Sequence, residues 1–374
     1  MYTVDKIIKD NKLINSINNS LKHKGLEAEN TVFLDIETTG LSSRNSMCFL
    51  IGLLHFDGNN FLITNLFCEK YDEEFLMYLT LNAILKSKKN LSLISYNGDT
   101  FDIPFINKRA HMLGLEKDNF LLLNEDFNSI DLLKHFRKYA KLLNLENLKQ
   151  KTIESSLSIN RTDSFSGKEV INLYKEFIAF KDIEKRDLIL LHNQDDLIGM
   201  TALLDVLNYS DLAKLELKDE DISLYNTQDK LHITATLDFK LLKDLDYKDS
   251  YLELKVTNNN LDIKINIVEK SLKHFYSNYK DYYYIPSEDK AIHKSVATYI
   301  DKDFREKATK ENCYVTLNSQ FLPVFNIDSV NLTLFKEDYS SNVFFIQMSD
   351  FYKIAKGEYI KDILESTIEK MRKK

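Results

Sequence analysis

The stretch Val32-Phe33-Leu34-Asp35-Ile36-Glu37-Thr38-Thr39-Gly40-Leu41 constrains this chain more than any other. It begins as a short apolar run, the pattern of a buried strand, and then places two carboxylates two residues apart. Side chains two apart on a strand point to one face, so Asp35 and Glu37 project together from the end of a core strand, and Thr38-Thr39-Gly40 turns the chain away. Like charges held a few ångströms apart repel strongly where water is scarce. A divalent cation between them relieves that repulsion, and paired hard oxygen ligands suit Mg²⁺ or Mn²⁺. The plain alternative is a pair of solvated acids at a strand end.

The pattern around this strand is that of a mixed sheet with helices on its faces. Residues 1–28 read as one amphipathic helix carrying Ile7, Ile8, Leu13, Ile14, Ile17 and Leu21. The run Met47 to Phe56, the turn Asp57-Gly58-Asn59-Asn60 and the run Phe61 to Phe67 make a hairpin. A helix over about 72–87, with Phe75, Leu76, Leu79, Leu81 and Ile84 as its apolar set, leads to a strand at Leu91–Tyr96. Ser129 to Leu133 is a fifth short strand entering a helix. Residues 142–157 and 170–180 read as helical, and the last helix of this half spans about 185–207.

Two later sites can join the acidic pair. Asn97-Gly98-Asp99-Thr100-Phe101-Asp102 closes a strand and opens a helix with Pro104 in its first turn. Asp102 reads either as that helix's N-cap, worth roughly 1 kcal/mol, or as a metal carboxylate at the strand's C-terminal edge, where ligand sites of open α/β sheets lie. Asp131 reads as a cap or support. In the last helix, His192 and Asp196 are four apart and share a face within a mostly apolar segment. Buried acids require a partner or a metal. The working arrangement brings Asp35, Glu37, Asp102 and Asp196 around two divalent ions, with His192 positioning or deprotonating a water.

Asp-x-Glu-Thr-Thr-Gly, Asn-x-x-x-Phe-Asp and His-x-x-x-Asp, in this order over about 29–207, resemble the three motifs of the DEDD superfamily of 3′-to-5′ exonucleases, which have a ribonuclease H-like fold. Ser95-Tyr96-Asn97-Gly98, Ile130-Asp131-Leu132-Leu133, Asn160-Arg161-Thr162-Asp163 leading to Gly167, and His192-Asn193 are similar to a bacterial subgroup of the mitomycin-repair-factor-B type. The resemblance implies a ribonuclease H-like five-stranded mixed sheet and a phosphodiester hydrolase active in DNA repair. It implies two Mg²⁺ or Mn²⁺ held by Asp35, Glu37, Asp102 and Asp196, and His192 as general base. It also implies substrate contacts from Thr38, Asn97, Phe101 and Arg161. His192 departs from the pattern, because three residues separate it from the acid, the spacing of the Tyr branch, where the His branch has four. Asp196 is preferred to Asp195, which would leave the His192 face. The implied partner is a single-stranded 3′ end, DNA before RNA, with a helicase as a candidate second partner. An RNA-trimming nuclease and a non-catalytic nucleic-acid-binding module are the alternatives.

Composition narrows the rest. A net charge of −7 argues against a non-specific DNA coat protein. Three cysteines, Cys48, Cys68 and Cys313, make no metal motif and fit a reducing cytoplasm. No signal peptide and no membrane-spanning run is expected. After about 210 the pattern changes. Asp219-Glu220-Asp221 reads as linker, and 222–374 reads as an α+β accessory domain of unknown role. Its strands lie at 232–241, 251–256 and 261–268, with one more ending at Tyr282-Tyr283-Tyr284-Ile285-Pro286 and short ones near Tyr314 and Phe344, and its helices at 287–300 and 349–373. Lys290, His293, Lys294, Arg305 and Lys307 form either a solvated face or a strand-guiding basic patch flanked by tyrosines.

Overall fold

The computed structural model describes residues 1–115, 120–123, 127–328 and 331–373, which form two compact units, Met1–Leu207 and Asn208–Lys374.

In the first unit a mixed sheet has the order β1-β4-β3-β2-β5-β6. Its strands are β1 (Tyr2–Ile7), β2 (Thr31–Thr38), β3 (Cys48–Phe56), β4 (Phe61–Phe67), β5 (Ser92–Ser95) and β6 (Asn128–Asp131). β2 pairs antiparallel with β3 and parallel with β5, and β5 pairs parallel with β6. The helices are α1 (Asn11–His23), α2 (Glu74–Lys86), α3 (Asp102–Met112), α4 (Leu132–Tyr139), α5 (Gln150–Ser156), α6 (Gly167–Phe180) and α7 (Ile183–Leu203). The core joins Leu34, Ile36, Phe49 and Ile51 of the central strands to Tyr174 of α6 and Ile189 of α7. Phe49 and Tyr174 stack at 3.9 Å between ring centroids. Their burial is the main favourable term holding sheet to helices.

The sheet has one strand more than the five expected, because the N-terminal segment is not one helix. Tyr2–Ile7 pairs antiparallel with β4 as an edge strand, and Asp10 caps a separate α1 by accepting from the Lys12 and Leu13 N–H groups. The apolar set of α2 also differs. Met77, Tyr78, Leu81 and Leu85 are buried, whereas Phe75, Leu76 and Leu79 face outward. Within 142–157 only Gln150–Ser156 is α-helical.

The α2 face that does pack contains a buried ion pair. Glu74 Oε1 accepts from the Cys48 N–H at 2.9 Å and from Tyr78 Oη at 3.1 Å, and Arg109 of α3 donates to the Glu74 carboxylate. This cluster fixes α2 and α3 against the start of β3.

The second unit begins with α8 (Asn208–Ala213) and a five-stranded antiparallel sheet, ordered β7-β8-β11-β10-β9. These strands are β7 (Ile222–Asn226), β8 (Lys230–Thr236), β9 (Leu245–Lys248), β10 (Leu252–Thr257) and β11 (Asn260–Asn266). β12 (Val268–Phe275) leads on to a hairpin of β13 (Tyr282–Ile285) and β14 (Lys290–His293). The helix expected from Ser287 is replaced by this hairpin. Asp289 takes a left-handed φ of 47° in the turn, and its Oδ1 accepts from Tyr284 Oη and Tyr314 Oη. Only Lys294–Ala297 (α9) is helical there. β15 (Glu306–Lys307), β16 (Tyr314–Pro323) and β17 (Phe345–Gln347) follow, then α10 (Met348–Phe351) and α11 (Lys356–Lys373).

Candidate active site

Asp35 and Glu37 stand on one face of β2, where α7 packs across β2 and β3. Asp35 is opposite Gly52 of β3. A Cβ built on Gly52 would lie 1.8 Å from Asn193 Oδ1, so the missing side chain admits the fully buried Asn193 of α7. Asn193 Nδ2 donates to Asp35 Oδ2 at 2.7 Å, and its Oδ1 accepts from Asn65 Nδ2 at 2.7 Å. Asn65 Oδ1 accepts from Gln194 at 2.9 Å, and Gln194 Oε1 accepts from Lys6 Nζ at 2.8 Å. A chain of amides therefore runs from the edge strand to Asp35 and leaves that carboxylate one orientation.

Asp102 is the first residue of α3, one position inside the expected N-cap, and it is buried. Its Oδ1 accepts from the Ile36 N–H at 3.2 Å, so its carboxylate reaches β2 between Asp35 and Glu37. Asp131 caps α4 through the Leu133 N–H and also accepts from the Asn97 N–H at 2.9 Å, which fixes the turn before Asp102. Of the residues expected to touch substrate, Thr38 is buried and donates to the Gly40 carbonyl at 2.9 Å. Asn97, at φ 71°, accepts from Thr100 Oγ1 at 2.6 Å. Both shape turns. Phe101 is half-buried with its ring against Phe105.

From α7, His192 Nε2 lies 3.4 Å from Glu37 Oε1 and 3.3 Å from Asp196 Oδ2. The adjacent acid turns elsewhere: Asp195 Oδ2 accepts the Thr162 and Asp163 N–H groups at 2.6 and 2.8 Å, anchoring the loop 160–165. From that loop Arg161 donates to Asp163 Oδ2 and Asp196 Oδ1, both at 2.8 Å, and to Glu154 Oε2 at 2.6 Å. Arg161, expected at the substrate, is thus largely enclosed and occupied with three carboxylates. Glu154 reaches it over Gly199 of α7, where a Cβ would lie 1.8 Å from Glu154 Oε1.

A model of the family described as the RNase_H superfamily matches residues 32–208, the span that carries every residue of this cluster. Residues 32–208 are thus similar to the RNase H superfamily over just under half of the chain. The curated protein YprB of Bacillus subtilis (strain 168), itself described as uncharacterized, is 27% identical over 189 residues. That match takes in 50% of this chain and 44% of YprB, so the chain spans less than half of its curated relative's length. Among solved structures, the family B DNA polymerase of Pyrobaculum calidifontis overlaps 50% of this chain and 26% of its own, at 14% identity and a TM-score of 0.38. Exonuclease I in complex with the inhibitor BCBP overlaps 60% of this chain and 55% of its own, at 13% identity and a TM-score of 0.30.

Electrostatics shows how strongly these acids repel one another in protein alone. Desolvation, then the charges of Asp196, Glu37 and Asp102, push the Asp35 carboxyl well above its ordinary range. Desolvation and the charges of Asp196 and Asp102 do the same to Glu37, and burial pushes Asp102 up to about 7. The ligand atoms of Glu37, His192 and Asp196 lie within 4.8 Å of one another. Buried oxygens that repel one another and are short of positive partners fit a hard divalent cation. Asp163, Lys151 and Asn193 had no assigned role in the sequence. Asn160 to Asp163 stood out only within the resemblance, and nothing local marks Asp163 as a neighbour of His192.

Proposed function

We propose that the RNase H superfamily domain is a divalent-cation-dependent nuclease that releases nucleotides from the 3′ end of a DNA strand. The observation that carries the reading is the convergence of Asp35, Glu37, Asp102 and Asp196 from β2, α3 and α7 onto one buried cluster faced by His192. Two Mg²⁺ or Mn²⁺ held by these carboxylates would supply charge neutralisation at the phosphodiester and an acidified water. Asp35, oriented by Asn193, would be one of the ligands. Glu37 and Asp196, beside His192, and Asp102, from α3, would complete the ligand set. His192 Nε2 faces the oxygens of Glu37 and Asp196 and accepts the proton of the attacking water. The half-buried ring of Phe101, one residue before Asp102, offers a surface on which the terminal base stacks. The 3′ polarity and the preference for DNA rest on the motif resemblance.

The test is nucleotide release from 3′- and 5′-labelled DNA and RNA oligonucleotides with Mg²⁺ or Mn²⁺. Mononucleotide release from the 3′ end of DNA, lost by roughly a thousandfold in Asp35→Asn and Glu37→Gln, is expected. Full activity in Asp35→Asn sinks the reading, and faster release from RNA replaces DNA as the substrate.

A further inference from the structure

The loop 160–165 carries an inference that rests on the nuclease reading and deepens it. Asp163 Oδ1 lies 2.9 Å from His192 Nδ1, and its side chain has no exposed surface. The carboxylate is held from several sides. The Phe165 N–H donates to Oδ1 at 2.7 Å, Arg161 donates to Oδ2 at 2.8 Å, and the Asp163 N–H is itself tied to Asp195 at 2.8 Å. We propose that Asp163 is the positioning residue of His192: it accepts the Nδ1 proton, so the neutral ring keeps its lone pair on Nε2, the atom that faces Glu37 and Asp196. Without such a partner both tautomers of a neutral imidazole are populated, and a large share of the rings would present an N–H where a base is needed.

Glu37 and Asp196 compete from the Nε2 side, where their oxygens would draw a proton to Nε2 unless committed to a cation, and Lys151 competes from the Nδ1 side. Its Nζ lies 3.4 Å from His192 Nδ1, and a hydrogen bond there would force the opposite tautomer. That ammonium is already engaged: it donates to the Phe165 carbonyl and lies 3.3 Å from both Asp163 oxygens. The shorter contact is the one to Asp163, so the carboxylate sets the ring. Burial would raise the Asp163 carboxyl, but the hydrogen bonds from His192 and Arg161 outweigh it and hold the group ionised, an acceptor only. Arg161 adds a spacing function. Its Nη2 bridges Asp163 and Asp196 and so fixes the distance between the orienting carboxylate and the acid on α7.

Asp163→Asn is informative because its one amide oxygen cannot serve both Arg161, which donates to Oδ2, and the Phe165 N–H, which donates to the Oδ1 that faces His192, and the charged donor is the stronger claimant. With the amide oxygen on the charged guanidinium, the amide NH₂ faces His192 Nδ1 and forces the Nε2–H tautomer. The experiment is ¹⁵N NMR of histidine-labelled full chain with Mg²⁺ and no substrate, at about pH 8.5, some two units above the ordinary imidazole value. The His192 signal is the one absent in His192→Gln. Wild type is expected to show Nδ1–H, and Asp163→Asn to show Nε2–H. Turnover by Asp163→Asn is expected to fall roughly 10²- to 10⁴-fold in kcat, with KM and calorimetric Mg²⁺ affinity unchanged. An Nε2–H ring in wild type overturns the proposal, whether or not the variant folds. So does wild-type kcat in Asp163→Asn, or a loss of Mg²⁺ affinity that matches the loss of kcat. The NMR readout needs no turnover, so a failure of the nuclease reading and a failure of this one are told apart.

Discussion

Asp102 shows how one buried carboxyl links stability to the cation. Its pKa in the fold is about 7, against 3.8 in the open chain, and Asp35 and Glu37 shift the same way. A carboxyl raised on folding contributes stability that is whole below its unfolded pKa and is lost as pH rises through its folded pKa. Asp163 has the opposite sign, since its contribution is lost as pH falls below the ordinary carboxylate range. Without divalent ions, thermal unfolding in EDTA is therefore expected to give a Tm that declines from about pH 4 to about pH 7. Asp102→Asn should flatten that decline, and Mg²⁺ should raise Tm more at pH 7 than at pH 5. A Tm that rises across this window in EDTA contradicts the assigned burial of the acids. The same residues mark the reach of the sequence. Asp35, Glu37, Asp102, His192 and Asp196 were legible because each lies in a short motif at the end of a strand or on a helix face. Asp163 and Asn193 were not, because the groups they hold lie 29 and 158 positions away and no periodicity records such a pairing.

At the scale of elements, two contacts decide whether helices and sheet meet in register. Gly52 gives up its side chain to Asn193, so Gly52→Ala must move that amide off Asp35. The expected cost is about 1–3 kcal/mol with weaker Mg²⁺ affinity by calorimetry. Asn193→Ala in the same chain should return part of the stability without returning the affinity. Equal stabilities of the single and double variants exclude the steric account. Arg109→Ala leaves Glu74 charged and buried beside Cys48 and Tyr78, and denaturant unfolding should report a loss of about 3–5 kcal/mol. Elements were read best where a strand was almost wholly apolar, as in β3, or a helix long, as in α7. The N-terminus misled because Ile7 and Ile8 fit a helical period with Leu13 and Ile14, although Asp10 caps a helix that starts only after it. Ser287-Glu288-Asp289 misled in the opposite way. The same residue types cap helices and make tight turns, and the hydroxyls of Tyr284 and Tyr314, which decide the matter, converge only in three dimensions.

For the whole molecule, the question is how a chain of net charge −7 approaches a polyanion. The acids that would do the chemistry repel phosphate as strongly as they repel one another, and the nearby Arg161 is already committed to carboxylates. Substrate affinity must then be conditional on the cation. Binding of a fluorescent single-stranded DNA oligonucleotide is expected to be at least tenfold tighter with Ca²⁺, a hard cation that takes the same oxygen ligands, than in EDTA. Every member of the cluster, the amide chain from Lys6 to Asp35 and the loop 160–165 lie within Met1–Leu207, which has its own core. A fragment of residues 1–207 is therefore expected to unfold cooperatively and to bind Mg²⁺ with the affinity of the full chain. Its Ca²⁺-dependent affinity for the oligonucleotide then separates the two units. An unchanged value assigns strand binding to the first unit alone, whereas a fall at constant Mg²⁺ affinity assigns a share to the tyrosine-rich second unit. A fragment that folds yet loses Mg²⁺ contradicts the placement of the site within residues 1–207.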